Sequence, residues 1–345
     1  MNEYIAGWGM RAVGKSWEEA LQSYLREWNR TLVEGQGDRL QPFFLEAATW
    51  QEEQSRLTLA RERMRQQGIK PLGAKMTAIP LYTAALGEDE VATAVQLHQQ
   101  LYYKWGDEVY RQECQETRPV RLKRRGDDWA FLWPWGWYFE QHHLQDLPQL
   151  VKPDEPGGEE SAKGDSGDTA SGIQPVQQSL SPGRYNRAAA VAYAERYWNS
   201  TNPAYRRFQD DCTNFISQCL HAGGIPMVFF GNRSRGWWYR GGRNANWSYS
   251  WTVAHSFYLL LKSGKAPFYA VEVPHPAYLE PGDVICYDFD GDGRWQHNTI
   301  VVAKDWNNMP LVNAHTTDSR MRYWSYQDSS AYTPRIRYAF FRIQG

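Results

Sequence analysis

Two acidic residues stand before a cysteine in Asp210-Asp211-Cys212-Thr213-Asn214-Phe215-Ile216-Ser217-Gln218-Cys219-Leu220, and the apolar positions Phe215, Ile216, Cys219 and Leu220 recur at helical spacing until Gly223-Gly224 stops them. The pattern puts Cys212 at a helix N-terminus. Unpaired backbone N–H groups and the positive end of the helix dipole favour an anion there, which biases a thiol toward its nucleophilic thiolate. A lone cysteine is more commonly a small buried hydrophobe, so the chemistry depends on partners downstream.

Such partners follow in order. The turn Leu279-Glu280-Pro281-Gly282-Asp283 delivers the chain into a strand at Val284-Ile285-Cys286-Tyr287, a tight turn spans Asp288 to Gly293, and Trp295 to Val302 leads into the next strand. His297 stands at the entrance of that strand. A third strand, Leu311-Val312-Asn313-Ala314-His315, runs back with Asn313 and His315 on one face. A thiolate on a helix terminus, an imidazole at a strand entrance and a polar group on the neighbouring strand are the three parts of a cysteine acyl-transfer site.

On these residues the segment from about 184 to 345 resembles the bacterial "putative amidase domain" family, one of the papain-like cysteine hydrolases related to the NlpC/P60 and CHAP groups. The residues that carry the likeness are Tyr185-Asn186-Arg187 with Tyr193-Ala194 and Tyr197-Trp198, then Asp211 to Gln218, Pro281-Gly282-Asp283, Asp290-Gly291-Asp292-Gly293 followed by Trp295 and His297, and His315-Thr316 with Asp318. The resemblance implies a papain-like α+β core without a cofactor, in which Cys212 is the nucleophile and His297 the base that later protonates the leaving amine. Asn313 matches the orienting residue of papain-like enzymes along the returning strand, and His315 matches the amidase family's own pattern; both stay open. The backbone N–H of Cys212 would hold part of the oxyanion. No Gln stands at the family-typical distance upstream, which leaves Tyr205 and Gln209 as candidates for a second donor. Substrates implied by the related groups are peptides, or the stem peptides and cross-links of peptidoglycan.

Other residues of chemical interest have plainer readings. Asp288, Asp290 and Asp292 with Gly293 copy half of a cation loop, but Thr299 stands where a bidentate Glu is wanted, so a polar hairpin turn is expected and no metal. His255 reads as structural. The aromatic, Gly- and Arg-rich stretch from Gly231 to Trp251 suits a packed surface excursion beside a groove, with Trp237, Trp238 and Tyr239, together with Asp211, as the substrate contacts. A non-catalytic peptide- or glycan-binding module on the same fold is the competing reading.

The elements that must position these residues belong to a chain of 345 residues, 42% hydrophobic and 22% charged, with 17 Trp. That length favours two domains. A formal net charge of -1 gives no reason to expect nucleic acid as a partner. The basic run Arg121-Leu122-Lys123-Arg124-Arg125 reads as a solvated strand edge entering the turn at Gly126. Four cysteines show neither metal-ligand spacing nor a disulfide framework, and no apolar run is long enough for a membrane-spanning helix. No secretory signal is visible at Met1 to Lys15, so the default expectation is cytoplasmic, or cell-wall associated if a leader was removed.

Ser16-Trp17-Glu18-Glu19 is a capping box before a first helix, a second runs from about Phe43 to Gln67, and strand-like runs follow at 76–82, 91–103, 109–123 and 129–139. The expected architecture is α+β: residues 1–150 a small domain of nuclear-transport-factor-like or cystatin-like order, whose sheet could cup a pocket lined by Trp129, Trp133, Trp135 and Trp137; residues 151–183 a flexible acidic Gly/Ser/Pro linker; and residues 184–345 the papain-like domain. Helices are expected over 185–198, after Cys212, and over 252–262. Oligomeric state is not legible.

Overall fold

The computed structural model describes residues 15–66, 68–132, 185–242, 245–265, 267–305, 307–329 and 331–344. The expected linker over 151–183 and the tryptophans at 133, 135 and 137 lie outside the described residues.

Helix α1 (Trp17–Glu34) starts where the capping box puts it: Ser16 Oγ accepts from Glu19 N–H, the Glu19 carboxylate accepts from Ser16 N–H, and Gly35 closes the helix in the left-handed region. Its inner stripe of Leu21, Tyr24, Leu25, Trp28 and Leu32 is buried. Helix α2 (Ala47–Gln66) begins later than Phe43, because residues 37–43 form a 3-10 turn containing Pro42. Three long antiparallel strands follow, β1 (Ile69–Ala85), β2 (Glu90–Trp105) and β3 (Glu108–Arg125), with β4 (Asp128–Phe131) folded back on the end of β3. The basic run occupies that end of β3 and has partners within the chain: Arg121 pairs with Glu90, Arg124 lies over the Trp129 ring, and Arg125 donates to the backbone oxygens of Pro42 and Phe44.

The second half opens with α3 (Arg187–Tyr197) and α4 (Cys212–Ala222). Two short hairpins come next, β5 (Val228–Phe229) with β6 (Gly236–Trp237) and β7 (Tyr239–Arg240) with β8 (Asn246–Trp247), then α5 (Tyr249–Thr252) and α6 (Ala254–Lys262). Strands β9 (Val271–Val273), β10 (Val284–Asp288), β11 (His297–Lys304), β12 (Pro310–Ala314), β13 (Asp318–Tyr323) and β14 (Arg337–Arg342) complete it. The strand order is β1-β2-β3-β13-β12-β11-β10-β14-β9, all antiparallel, so one sheet runs through both halves. The join is β13 on β3, with Asp318 opposite Gln115, Ser319 opposite Cys114 and Arg320 opposite Glu113.

Strand alternation sorts the second half into two layers. Cys286, Ile300 and Val302 pack with Phe215, Ile216, Cys219 and Leu220 of α4, whereas Ile285, Tyr287 and Val301 pack on the far side with Val312, Tyr326 and Phe340. The chain is α+β. Among the described residues no helix is long and apolar enough to cross a membrane.

Candidate active site

Every residue of α4 from Cys212 to Leu220 is buried, so its polar side chains need partners within the protein, and each has one. Thr213 Oγ1 accepts from Asn298 Nδ2 at 2.9 Å; Asn214 donates to Asp211 and to the Arg206 oxygen and accepts from Trp251 Nε1; Ser217 donates to the Trp251 oxygen and accepts from Trp237 Nε1; Gln218 accepts from the Tyr193 hydroxyl. The sequence after Cys212 therefore specifies how the helix is held as much as which residue reacts. Two other motifs form a clasp behind it. Arg187 donates to the oxygens of Pro281 and Ile343 and pairs with Asp283 at 2.6 Å, and Tyr185 donates to the Gly282 oxygen.

Cys212 is the first residue of α4 and only 4% exposed. Burial pushes its thiol up, while the Thr213 hydroxyl and the backbone N–H of Asn298, both directed at the sulfur, favour the thiolate. Burial prevails over those donors, against the thiolate bias expected from the helix terminus alone. The sulfur thus rests against the peptide that joins Asn298 to His297. Cys286, paired with Asn298 across the sheet, also lies within electrostatic reach of it.

His297 opens β11, as expected, and the turn before it is organised by Asp288, whose carboxylate accepts from the N–H groups of Gly291, Asp292 and Gly293. Those three bonds give the acidic turn its shape and occupy the carboxylate as a hairpin requires. Asn298 faces α4, and His297 faces the opposite side, where its ring packs among Tyr287, Phe289 and Tyr326. Its Nε2 is 3.2 Å from the Tyr326 hydroxyl. Among the described residues Nδ1 makes no hydrogen bond, and none joins the imidazole to the Cys212 sulfur. Burial first, then the Arg322 guanidinium, lowers the His297 pKa to about 3, so the ring is neutral at pH 7.

Tyr326 is the site residue that sequence reasoning missed. Its hydroxyl meets His297 and lies 3.4 Å from Ser319 Oγ, its ring lies 4.0 Å beneath the Arg322 guanidinium carbon, and its φ of 53° is left-handed. Arg322 is in turn fixed by Asp328 at 3.1 Å. A non-glycine residue held in that backbone region is strained, a common mark of positions that function over-determines. No spacing rule points to it, because it follows β13 by a path that only the tertiary fold defines.

Neither expected orienting residue reaches His297. Asn313 donates to Glu195 at 2.7 Å and accepts from Met321 N–H; it lies opposite Ile300, on the helix-facing side of the sheet. His315 bridges Asp211 Oδ2 at 2.7 Å and the Tyr197 oxygen at 2.8 Å, its ring stacked 4.0 Å from Phe215. Both polar groups are occupied in anchoring the helices to the sheet.

The expected substrate contacts differ as well. Asp211 is 2% exposed, and its carboxylate is filled by Phe208 N–H, Asn214 and His315, so it positions α4 rather than a ligand. Trp237 and Trp238 are 0% and 3% exposed: one is central to the core and donates to Ser217, the other donates to the Arg235 oxygen. Their indole N–H groups are satisfied inside, which lets these two rings turn inward instead of lining a groove. Tyr239 is half-buried, with its hydroxyl accepting from Arg206 N–H and its ring against Tyr205 and Trp247. Of the two donor candidates, Tyr205 is stacked on Trp251 and Gln209 is exposed. His255, read as structural, accepts from Trp295 N–H. Among the described residues no three His, Cys, Asp or Glu side chains gather as metal ligands.

The chain is 64% identical over 160 residues, 46% of its own length and 50% of the other's, to the uncharacterized protein YhbB of Bacillus subtilis (strain 168). It is 31% identical over 144 residues to the uncharacterized protein YjcM of the same organism, covering 39% of this chain and 31% of that one. The chain thus spans half or less of the curated relatives it matches. Among solved structures, the intermembrane space region of chloroplast protein ARC6 aligns over 33% of this chain and 88% of its own at 8% identity and a TM-score of 0.25, a likeness on which nothing here rests. Residues 184–341 match the family model described as "Putative amidase domain".

Proposed function

We propose that residues 184–345 form a cysteine hydrolase of papain-like arrangement that cleaves an amide bond, in a peptide or a cell-wall peptide, through a thioester. The match of residues 184–341 to an amidase-type model supports the reaction class. The observation that carries the mechanism is the placement of the Cys212 sulfur at a helix N-terminus, on the amide of the residue that follows His297.

In this reading the resting pair is a neutral thiol and a neutral imidazole. The His297 ring lies on the face of β11 opposite α4, so ring and sulfur must approach each other at the strand entrance when substrate binds, with Tyr326 holding Nε2 and Nδ1 taking the thiol proton as the sulfur attacks the scissile carbonyl. The same Nδ1 then protonates the departing amine, and water hydrolyses the thioester. Hydrogen bonds of this kind are often loose without substrate and tighten when it binds. The oxyanion would be held by the Cys212 backbone N–H at the positive end of α4.

Burial favours a second reading. Cys212 and His297 are 4% and 8% exposed, which suits a papain-like fold that binds a peptide or glycan without cutting it. Turnover of a panel of amide and peptidoglycan-peptide substrates by the wild type and by Cys212→Ser separates the two. The hydrolase reading expects turnover in the first only; equal turnover would exclude Cys212 as the nucleophile, and none by either on any substrate favours the binder.

A further inference from the structure

A cavity of about 160 Å³ lies where the first half meets the segment that follows β13. Its wall from the first half sets Trp28, Leu32, Leu57 and Leu101 beside Gln99 and Gln112, and its far wall carries Arg322 and Asp328. Those two charges bond to each other at 3.1 Å, and Arg118 on the rim pairs with Glu116 at 2.7 Å, so the lining offers no unpaired ion. It does include a buried polar group without a partner. Tyr103 lines the cavity, is 2% exposed, and its hydroxyl has no hydrogen-bond partner among the described residues.

A buried hydroxyl left unmade costs on the order of 1–3 kcal/mol, which an occupant bearing an acceptor would offset. The space is several times the roughly 30 Å³ share of one water molecule, and apolar and polar side chains share its lining. We propose that this cavity is a binding site for a small uncharged amphiphile, with its apolar group against Trp28 and Leu101 and its carbonyl or hydroxyl oxygen on the Tyr103 hydroxyl. The paired charges disfavour a charged ligand, because an added ion would compete with Asp328 or Arg322 for a partner already held. The proposal stands apart from the cysteine chemistry and requires no turnover.

Calorimetric titration of the full chain tests it, with N-acetyl-leucinamide and p-cresol as neutral probes and N-acetyl-leucine as the charged counterpart. The expected result is saturable one-site binding of a neutral probe, with the charged one at least about tenfold weaker. Tyr103→Phe, which keeps the ring, should weaken the neutral probe by about five- to tenfold, a lost neutral hydrogen bond. Ala60→Trp, which fills the cavity from α2, should abolish binding. No saturable binding of either neutral probe overturns the proposal, and so does binding that Tyr103→Phe leaves unchanged.

Discussion

At the scale of residues, the site is governed by burial, which disfavours the charged forms of Cys212 and His297. His297 in the folded chain titrates near 3, against an ordinary 6.5. Between those values the unfolded chain binds the proton and the folded chain does not, so stability is full above pH 6.5 and falls as pH drops through the window. The slope is about 1.4 kcal/mol per pH unit for a single fully shifted group. His297→Gln should remove that slope, read by urea unfolding at pH 5 and pH 7; an unchanged slope would mean that the ring is not held neutral. Tyr326→Phe should lower turnover roughly ten- to a hundredfold, as loss of an orienting hydrogen bond does, with a stability loss of only about 1 kcal/mol. Asn313→Ala and His315→Ala should act through stability instead, so their turnover per folded molecule should stay near wild type.

At the scale of elements, the helix, its start and the strands behind it were legible, because periodicity and caps are local signals. The capping box at Ser16, the helix after Cys212 and the strand entered at His297 all appear where spacing puts them. Which face a strand residue takes was less legible. Asn298 and not His297 faces α4, and the tryptophans at 237 and 238 turned inward, since tertiary partners for an amide or an indole N–H cannot be read from spacing. The clasp of Tyr185 and Arg187 on the Pro281-Gly282-Asp283 turn gives these motif residues a structural task. Gly282 has φ 92° with Tyr185 Oη and Arg187 Cβ each 3.1 Å from where a Cβ would sit, while Gly242 has the same φ of 92° and open space. Alanine at either should cost about 1 kcal/mol of backbone strain, and at 282 a further 1 kcal/mol or more for displacing the clasp, measured by urea unfolding. Equal losses at the two positions would mean that the clasp yields freely.

At the scale of the whole molecule, composition indicated two halves but not that one sheet runs through both. Pairing of β13 with β3 depends on residues some 200 apart, and only the packed structure brings them together. Arg320 seals that join, bonded to Glu113 at 2.9 Å and to Glu195 at 2.6 Å. Arg320→Met should cost about 1–2 kcal/mol, since it takes one of two guanidinium partners from the 5%-exposed Glu113, which keeps Arg111 at 2.9 Å, and adding Glu113→Gln should recover part of that loss. Strict additivity of the two changes in thermal or urea unfolding would show that Arg320 and Glu113 do not act as a unit.

The central claim is that a neutral imidazole at position 297 takes the proton of the thiol at position 212. The most direct measurement is the rate of iodoacetamide alkylation at Cys212 as a function of pH, in the wild type and in His297→Gln, with the modified cysteine identified by peptide mass. The account predicts an accelerated rate at pH 7 that falls by about tenfold or more when His297 is replaced. Identical pH profiles in the two proteins, each rising only as an isolated buried thiol ionises, would contradict it.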